Sequence, residues 1–284
     1  MRIKTLLITP PFTQLNTPYP ATSYLSGFLK ANDAPTVQCD LSIELFSRIF
    51  TRNVILEIFA EAEAQSNFKF KKVWKQRQEY INKVDMVIAY LREQEESTAK
   101  HFVSGSFLPV AHRSEKIAES YKSLDLIDKA KHLGTLFIEE LGDFIMANVD
   151  EFFSFTRYAE QIARSASSFD QLDEFLNYEP TLIEEQLLIL LEEKLIEQKP
   201  DLVGFSVPFP GNLFSALRCA QFIKHYDPKI KIAFGGGYCN TELRKLRDPR
   251  IFNYLDFISL DDGEGPLLRI IQYLSKEIGI DSLE

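Results

Sequence analysis

Cysteine and histidine are both scarce and scattered in this sequence. The three cysteines among 284 residues, Cys39, Cys219 and Cys239, form no CxxC or CxxxCxxC motif, and the four histidines form no HxH or HExxH motif. A disulfide framework, a structural zinc site and an iron–sulfur cluster each need several such residues brought together. We therefore expect no metal ligands from this chain.

Long basic runs and long apolar runs are absent as well. The chain has 32 basic and 41 acidic residues and a formal net charge of −9, whereas sequence-independent nucleic-acid binding needs cations that neutralise phosphates. The longest apolar runs, such as residues 187–191, are far too short to span a bilayer, and the N-terminus shows no signal-peptide pattern. We expect a cytoplasmic protein with no nucleic-acid partner and no membrane partner.

Short apolar runs alternate with helical periodicity near both ends of the chain. This alternation is typical of a parallel sheet with right-handed crossovers, and five strands fit the flavodoxin-like order 2-1-3-4-5. We predict an α/β fold with a doubly wound five-stranded sheet. The predicted strands are 3–9, 36–39, 202–207, 230–234 and 257–260, and the predicted helices are 21–30, 213–226 with Asn212 as N-cap, 241–247 and 266–273.

Residues 43–195 show charged, aromatic and leucine-bearing segments at helical spacing and no strand pattern. A connection of this length exceeds an ordinary loop, so we predict a large all-helical insertion between strands two and three, whose last helix is the crossover to strand three. The predicted domains are therefore an α/β domain (1–42 and 196–284) and a helical insertion (43–195). The predicted helices of the insertion are 43–63, 68–94, 114–132, 135–147, 151–166, 169–176 and 181–197.

The ends of the predicted strands carry unusual residues. Ligands of such sheets bind beyond the carboxyl ends of the strands, and three consecutive glycines, 235–237, follow strand four. Glycines permit positive φ and close approach of a ligand to the backbone, whereas a tight turn alone explains one glycine more easily than three. The run is neither a GxGxxG nor a Walker A motif, and the acidic segment 261–265 is most simply a helix cap.

Six segments in this order resemble the cobalamin-binding N-terminal domain of cobalamin-dependent radical S-adenosylmethionine enzymes. They are LLITPPF, YPATSYLSGFLK, Asp40, KPDLVGFSVPFPGNLFSALRCAQFIK, KIAFGGGYCN and LDFISLDDGEGPLLRII. The resemblance covers roughly the first 40 residues and residues 196–275, and it leaves the helical middle unexplained.

The resemblance implies that a corrinoid lies over the carboxyl ends of the sheet and buries its nucleotide tail against the glycine-rich loops. The DxHxxG motif that supplies a histidine to cobalt in other cobalamin folds is absent. The implied cofactor is therefore cobalamin with neither histidine nor its own dimethylbenzimidazole beneath the cobalt. The implied contacts are Thr9, Pro10, Pro11, Phe12, Ser206, Val207, Pro208, Phe209, Gly235, Gly236, Gly237, Tyr238, Asp261, Gly263 and Glu264.

The catalytic half of that family has no counterpart here. It is a partial TIM-like barrel that holds S-adenosylmethionine and, through CxxxCxxC, a four-iron four-sulfur cluster. The resemblance therefore implies a fragment that is not catalytic by itself and whose partner is the missing barrel of its own enzyme. The whole enzyme would carry out methyl transfer or a related radical reaction on a small-molecule or peptide substrate.

Two other functions remain open at this point. The same fold could serve as a cofactor-free docking or substrate-recognition domain that uses the helical insertion as its binding surface. It could also be a small enzyme that acts on a nucleotide or sugar at the switch point of the sheet. The second alternative is weakened because no Cys-His, Ser-His or paired-carboxylate arrangement is visible.

Overall fold

The computed structural model comprises two compact units. We call the first, Met1–Leu45 with Ser154–Pro180 and Glu184–Glu284, the α/β unit, and the second, Phe46–Phe153 with Thr181–Ile183, the helical unit. The sequence analysis assigned residues 43–45, 154–180 and 184–195 to the insertion, but they group with the sheet. The structure describes residues 2–15, 17, 19–64, 69–105, 107–109, 111–113, 121, 123–156, 159–160 and 169–283.

Five parallel strands form the sheet of the α/β unit: β1 (Thr5–Thr9), β2 (Thr36–Asp40), β3 (Leu202–Ser206), β4 (Lys231–Gly235) and β5 (Phe257–Ile258). Their order, β2-β1-β3-β4-β5, confirms the predicted flavodoxin-like α/β fold with a helical insertion between β2 and β3. Every residue of β1 and β3 is buried, as expected of central strands in a parallel sheet with both faces covered. In cross-strand register, Leu7 lies beside Gly204, Gly204 beside Ala233, and Ala233 beside Phe257.

The helices are α1 (Ala21–Ala31), α2 (Leu41–Ile49), α3 (Arg52–Ala64), α4 (Lys71–Lys75), α5 (Arg77–Glu93), α6 (Glu96–Val103), α7 (Leu126–Asn148), α8 (Asp170–Leu176), α9 (Leu182–Gln198), α10 (Pro210–Tyr226), α11 (Gly237–Thr241) and α12 (Glu264–Leu274). Short 3₁₀ turns occupy Leu243–Lys245, Pro249–Asn253 and Ile280–Leu283. Within the described ranges, no helix combines the length and the apolar character needed to cross a membrane.

Aromatic residues form much of the interior of the helical unit. The ring centroids of Phe59 and Phe144 lie 4.8 Å apart, and those of Tyr80 and Phe137 also lie 4.8 Å apart. Tyr80 is completely buried and donates a hydrogen bond of 2.5 Å to Oε2 of the buried Glu140. The hydroxyl thus has the partner that a buried tyrosine needs.

Several helix boundaries differ from those predicted. Gly134 does not end a helix but lies within α7, where a Cβ would be 3.2 Å from Leu91 Cδ2, so tight packing against α5 outweighs the low helix propensity of glycine. The predicted helix 43–63 is divided between α2 and α3, and α6 was not predicted.

Two further predicted helices fall partly outside the described residues. Residues 114–120 and 122 of the predicted helix 114–132 lie outside them, and α7 begins only at Leu126. Of the predicted helix 151–166, the described residues 151–156 are not helical, because the Asp150 carboxylate accepts the Phe152 amide in a local turn at 3.0 Å.

Asn212 is not the N-cap of α10. This helix begins two residues earlier, at Pro210, with Phe209 as N-cap and no side-chain cap, because proline is preorganised for the first helical position. Asn212 is fully buried instead, and its side-chain amide donates to the Pro10 carbonyl at 2.8 Å. It therefore anchors the loop that follows β1.

Candidate functional site

A cavity of about 250 Å³ lies in the α/β unit near the carboxyl ends of the central strands. The start of α1 and the start of α12 form its walls, and β1, β3, β4 and the segment after β5 form its floor. This is the switch-point region at which such sheets bind ligands. Its lining residues are Leu7, Ala21, Thr22, Tyr24, Leu25, Gly204, Phe205, Ser206, Ala233, Phe234, Gly235, Gly236, Ser259, Asp261, Gly263, Glu264 and Leu267.

Small residues on the central strands create the space above the sheet. Alternate strand residues face the same side, so Gly204 and Ser206 of β3 lie beside Ala233 and Gly235 of β4 on the cavity floor. A Cβ at position 204 would lie only 2.9 Å from Leu7 Cδ2, so the Leu7 side chain of β1 extends over Gly204. The four small residues themselves contribute almost no side-chain volume to the floor.

Large side chains occupy the opposite face of the same two strands. Phe205 and Phe234 stand between the small residues, and their ring centroids lie 5.3 Å apart in an edge-to-face contact. Both residues are almost completely buried. Because neighbouring residues of a strand face opposite sides, packing of these rings directs the small residues toward the cavity.

Ser259 places an unsatisfied hydroxyl in the cavity. Its side chain lines the cavity and is only 7% exposed, and its Oγ has no hydrogen-bond partner among the described residues. A buried polar group without a partner costs about 1–3 kcal/mol. The cavity therefore contains a group that a ligand with a hydrogen-bonding atom would satisfy.

The mouth of the cavity combines an aromatic ring with carboxylates. Tyr24 is 72% exposed although it lines the cavity. Asp261 forms an ion pair with Arg244, and its backbone exchanges two hydrogen bonds with the Asn240 side chain. Glu264, the first residue of α12, also lines the mouth.

The glycine run after β4 has a structural explanation for two of its three residues. Gly236 has φ +102° and ψ −179°, and a Cβ there would lie 2.8 Å from the Val207 carbonyl oxygen. A Cβ at Gly237 would lie 3.1 Å from the Pro208 carbonyl oxygen. Close approach of the two loops thus requires these glycines without any ligand, whereas Gly235 lies on the cavity floor with only ordinary contacts around its missing Cβ.

The predicted contact residues fall into three groups. Six line the cavity: Ser206, Gly235, Gly236, Asp261, Gly263 and Glu264. Seven are buried and do not line it: Thr9, Pro10, Pro11, Phe12, Val207, Pro208 and Tyr238. Phe209 and Gly237 are exposed at the strand ends.

Hydrogen bonds close the loop after β1. The Pro10 carbonyl accepts from Asn212 Nδ2 at 2.8 Å and from Ser42 Oγ at 3.1 Å, and the Thr13 amide donates to the same Ser42 hydroxyl at 3.1 Å. The side chain of Phe12 is 1% exposed. This loop therefore supports the strand ends from within the protein and offers little surface to a ligand.

The sequence analysis missed the cavity residues contributed by α1 and by the strand interiors, and it found Glu264 but not Leu267 of α12. Thr22, Tyr24 and Leu25 come from α1, and Leu267 comes from α12. Only residues at strand ends were predicted as ligand contacts, because ligands of such sheets bind beyond the carboxyl ends of the strands. The pairs of small residues one position apart, Gly-Phe-Ser and Ala-Phe-Gly, were the signal that could have located the floor.

The described lining of the cavity lacks the side chains that most often serve as nucleophile and base together. It contains no histidine, cysteine or lysine. Burial raises the pKa of both Cys39 and Cys239 to about 12 and also raises that of Cys219, so these thiols stay protonated. Within the described part of the chain, no group of three or more His, Cys, Asp or Glu side chains is arranged to hold a metal ion.

The cavity fits part of a corrinoid. A protein cavity of about 150 Å³ holds benzene, so a cavity of about 250 Å³ has room for a two-ring base such as dimethylbenzimidazole. It is too small for the corrin macrocycle, which would have to lie outside over the strand ends. The apolar floor suits one face of such a base, and the Ser259 hydroxyl suits its ring nitrogen.

The fold and the cavity define this chain as a flavodoxin-like α/β protein with a ligand-sized site at the switch point of its sheet. No family model matches the chain, and no similar protein was found among the curated proteins or the solved structures. Any more specific assignment therefore depends on the site itself.

Proposed function

We propose that the α/β unit binds a corrinoid and takes its nucleotide tail into the cavity. The observation that carries this proposal is the floor of four small residues at the switch point, above which a flat base can lie against the sheet. The floor is extended by the unsatisfied Ser259 hydroxyl. Ligand pockets typically combine such an apolar surface with a few polar groups that fix the orientation of the ligand.

The residues at the carboxyl ends of the strands would hold the macrocycle outside the cavity. Phe209 is 53% exposed there and its ring contacts that of Tyr19, with centroids 6.2 Å apart. Tyr24 stands at the cavity mouth. Exposed aromatic side chains at these positions offer apolar surface that a macrocycle could contact.

Bound cobalamin would supply a cobalt centre that carries a methyl group or takes part in a related radical reaction. The residues of this chain bind and orient the cofactor and keep its tail away from the cobalt. No histidine lines the cavity among the described residues, so the proposal includes a cobalt without a protein ligand from this site. The radical chemistry belongs to the proposed barrel of a longer cytoplasmic enzyme, which also binds the substrate.

The closed loop after β1 favours a second candidate, a docking domain without cofactor. In that case the cavity is a remnant, and the protein folds well without retaining any corrinoid. The two candidates differ in one property, which is binding of cobalamin by the folded chain.

The test is retention of hydroxocobalamin through gel filtration, followed by the visible spectrum of the protein peak. We expect retained corrinoid with the spectrum of displaced dimethylbenzimidazole. Gly235→Val places a side chain on the cavity floor and is expected to weaken binding at least tenfold. Gly265→Ala is the matched control, because a Cβ at that position meets nothing within 4 Å.

A colourless peak from folded wild-type chain, both for these residues and for the longest natural chain, would contradict the corrinoid proposal and support the docking domain. Equal binding by wild type and Gly235→Val would show that the tail does not use the cavity.

A further inference from the structure

The two helices that flank the cavity differ in charge at their N-termini. In an α-helix the first backbone amides have no intrahelical acceptor, and the helix dipole makes this end partially positive. Both α1 and α12 direct this end toward the cavity mouth, since Ala21 and Glu264 are their first residues and both line the cavity. An anion is attracted to such an end unless the protein already supplies one.

At α12 the protein supplies its own anion. Glu264 occupies the first position of the helix, and Asp261 lies three residues before it. Arg244 neutralises Asp261, whereas no described residue pairs with Glu264. This side of the cavity mouth therefore keeps a negative charge.

At α1 the N-terminus is open. Its first turn has no acidic residue, and Pro20 at the N-cap makes no side-chain cap. No described residue accepts a hydrogen bond from the amides of Ala21, Thr22 or Ser23. Thr22 lines the cavity and is only 4% exposed, and its hydroxyl also has no partner in the described part of the chain.

We propose that the phosphodiester of the ligand's nucleotide tail binds at the N-terminus of α1, where the Thr22 hydroxyl and the free amides donate hydrogen bonds to it. The carboxylate of Glu264 on the opposite side repels the phosphate and accepts hydrogen bonds from neutral amide groups of the ligand. The charge asymmetry of the two helices thus sets the orientation of the tail. This inference rests on the proposed corrinoid binding.

The experiment compares Ala21→Glu with Ala21→Gln, two variants of equal side-chain length that differ in charge. The probes are hydroxocobalamin, which has the phosphodiester, and diaquacobinamide, which lacks the nucleotide tail. We expect the glutamate variant to bind hydroxocobalamin about fivefold more weakly than the glutamine variant at low salt, the effect of one like charge a few ångströms away in a hydrated site. The two variants should bind diaquacobinamide equally, and the difference for hydroxocobalamin should shrink with added salt.

A second variant, Thr22→Val, keeps the shape of the side chain and removes its hydroxyl. It should weaken hydroxocobalamin binding several-fold and leave diaquacobinamide binding unchanged. Circular dichroism of each variant establishes that it is folded, and glutamate in the first turn should if anything stabilise α1.

The possible results separate the two proposals. If wild type binds hydroxocobalamin but the charge at position 21 has no effect, the orientation proposed here is wrong and corrinoid binding stands. If the glutamate variant binds both probes more weakly by the same factor, the phosphate is not the group that it repels, and the proposed orientation is again refuted. If folded wild type binds neither corrinoid, corrinoid binding and this inference both fail.

Discussion

Gly236→Ala tests whether the glycine run after β4 is required by the fold. With φ +102° and ψ −179°, Gly236 lies in a region of backbone space that is essentially reserved for glycine, and placing another residue there costs roughly 1–3 kcal/mol. The new Cβ would also lie 2.8 Å from the Val207 carbonyl oxygen and 3.0 Å from the Val207 nitrogen. Both atoms belong to backbone, so the loop must move to relieve the overlap.

We therefore expect Gly236→Ala to lower the free energy of unfolding by about 2–4 kcal/mol. Because 1 kcal/mol shifts the thermal midpoint of a medium-sized domain by about 2–4 °C, the midpoint should fall by roughly 5–15 °C. The assay is thermal and urea unfolding followed by circular dichroism, together with hydrogen exchange of peptides that cover β3 and β4.

Gly265→Ala is the control for this substitution. It lies in the first turn of α12, where a Cβ has open space around it, and alanine favours a helix over glycine by up to about 1 kcal/mol. Its midpoint should stay unchanged or rise. If Gly236→Ala unfolds within about 0.5 kcal/mol of wild type, the close approach of the two loops does not require glycine and the structural explanation is refuted.

Two further predictions concern a buried hydroxyl and a partly buried carboxylate. Ser259→Ala removes the unsatisfied Oγ, so it should stabilise the ligand-free protein by about 1 kcal/mol in urea unfolding and weaken hydroxocobalamin binding several-fold; a loss of stability would show that the hydroxyl already has a partner. Partial burial raises the carboxyl pKa of Asp256. Hydrogen bonds from Lys224, from the Ile232 amide and from Lys231 lower it by more, so the pKa lies below its ordinary value. The carboxylate therefore contributes stability above its unfolded pKa of about 3.9, and this stability is lost as the pH falls through the pKa of the folded state. The urea midpoints of wild type and Asp256→Asn should differ at pH 7 and converge below about pH 4. A constant difference across this range would contradict the assignment.

The strand order was predictable because the strands alternate with helices and their apolar runs are short. A run such as Leu6-Leu7-Ile8, stopped by two prolines, indicates a strand covered on both faces. Once five such strands are placed, the parallel arrangement and the right-handed crossovers leave few orders open. The helical insertion followed from its length together with the helical spacing of its apolar residues.

The errors arose where tertiary contacts outweigh local propensity. Gly134 reads as a helix break, but in α7 it makes room for Leu91 of α5. Asn212 reads as a cap because its side chain often bonds to nearby amides, but here it bonds to Pro10, distant in the sequence. Neither partner can be identified from the residues that surround the motif.

The cavity residues were also hard to identify from local sequence alone. Three consecutive glycines attract attention, yet two of them serve loop packing, and the cavity is formed largely by Gly204, Ser206, Ala233 and Gly235. In each strand one phenylalanine separates the two small residues. The pattern becomes visible only when the residues that face the same side of the sheet are considered separately.

The two phenylalanines determine which face of the sheet the small residues occupy. Phe205 and Phe234 are neighbours across β3 and β4, and their rings meet on the face opposite the cavity. A shift of one residue in both strands would turn these rings into the cavity and move the small residues to the other face. The core contact that stabilises the sheet therefore also keeps the cavity open, which is why a pocket can persist in the middle of an otherwise close-packed unit. It also follows that variants of Phe205 or Phe234 would disturb folding and binding together, whereas Gly235→Val and Ser259→Ala act from the cavity side alone.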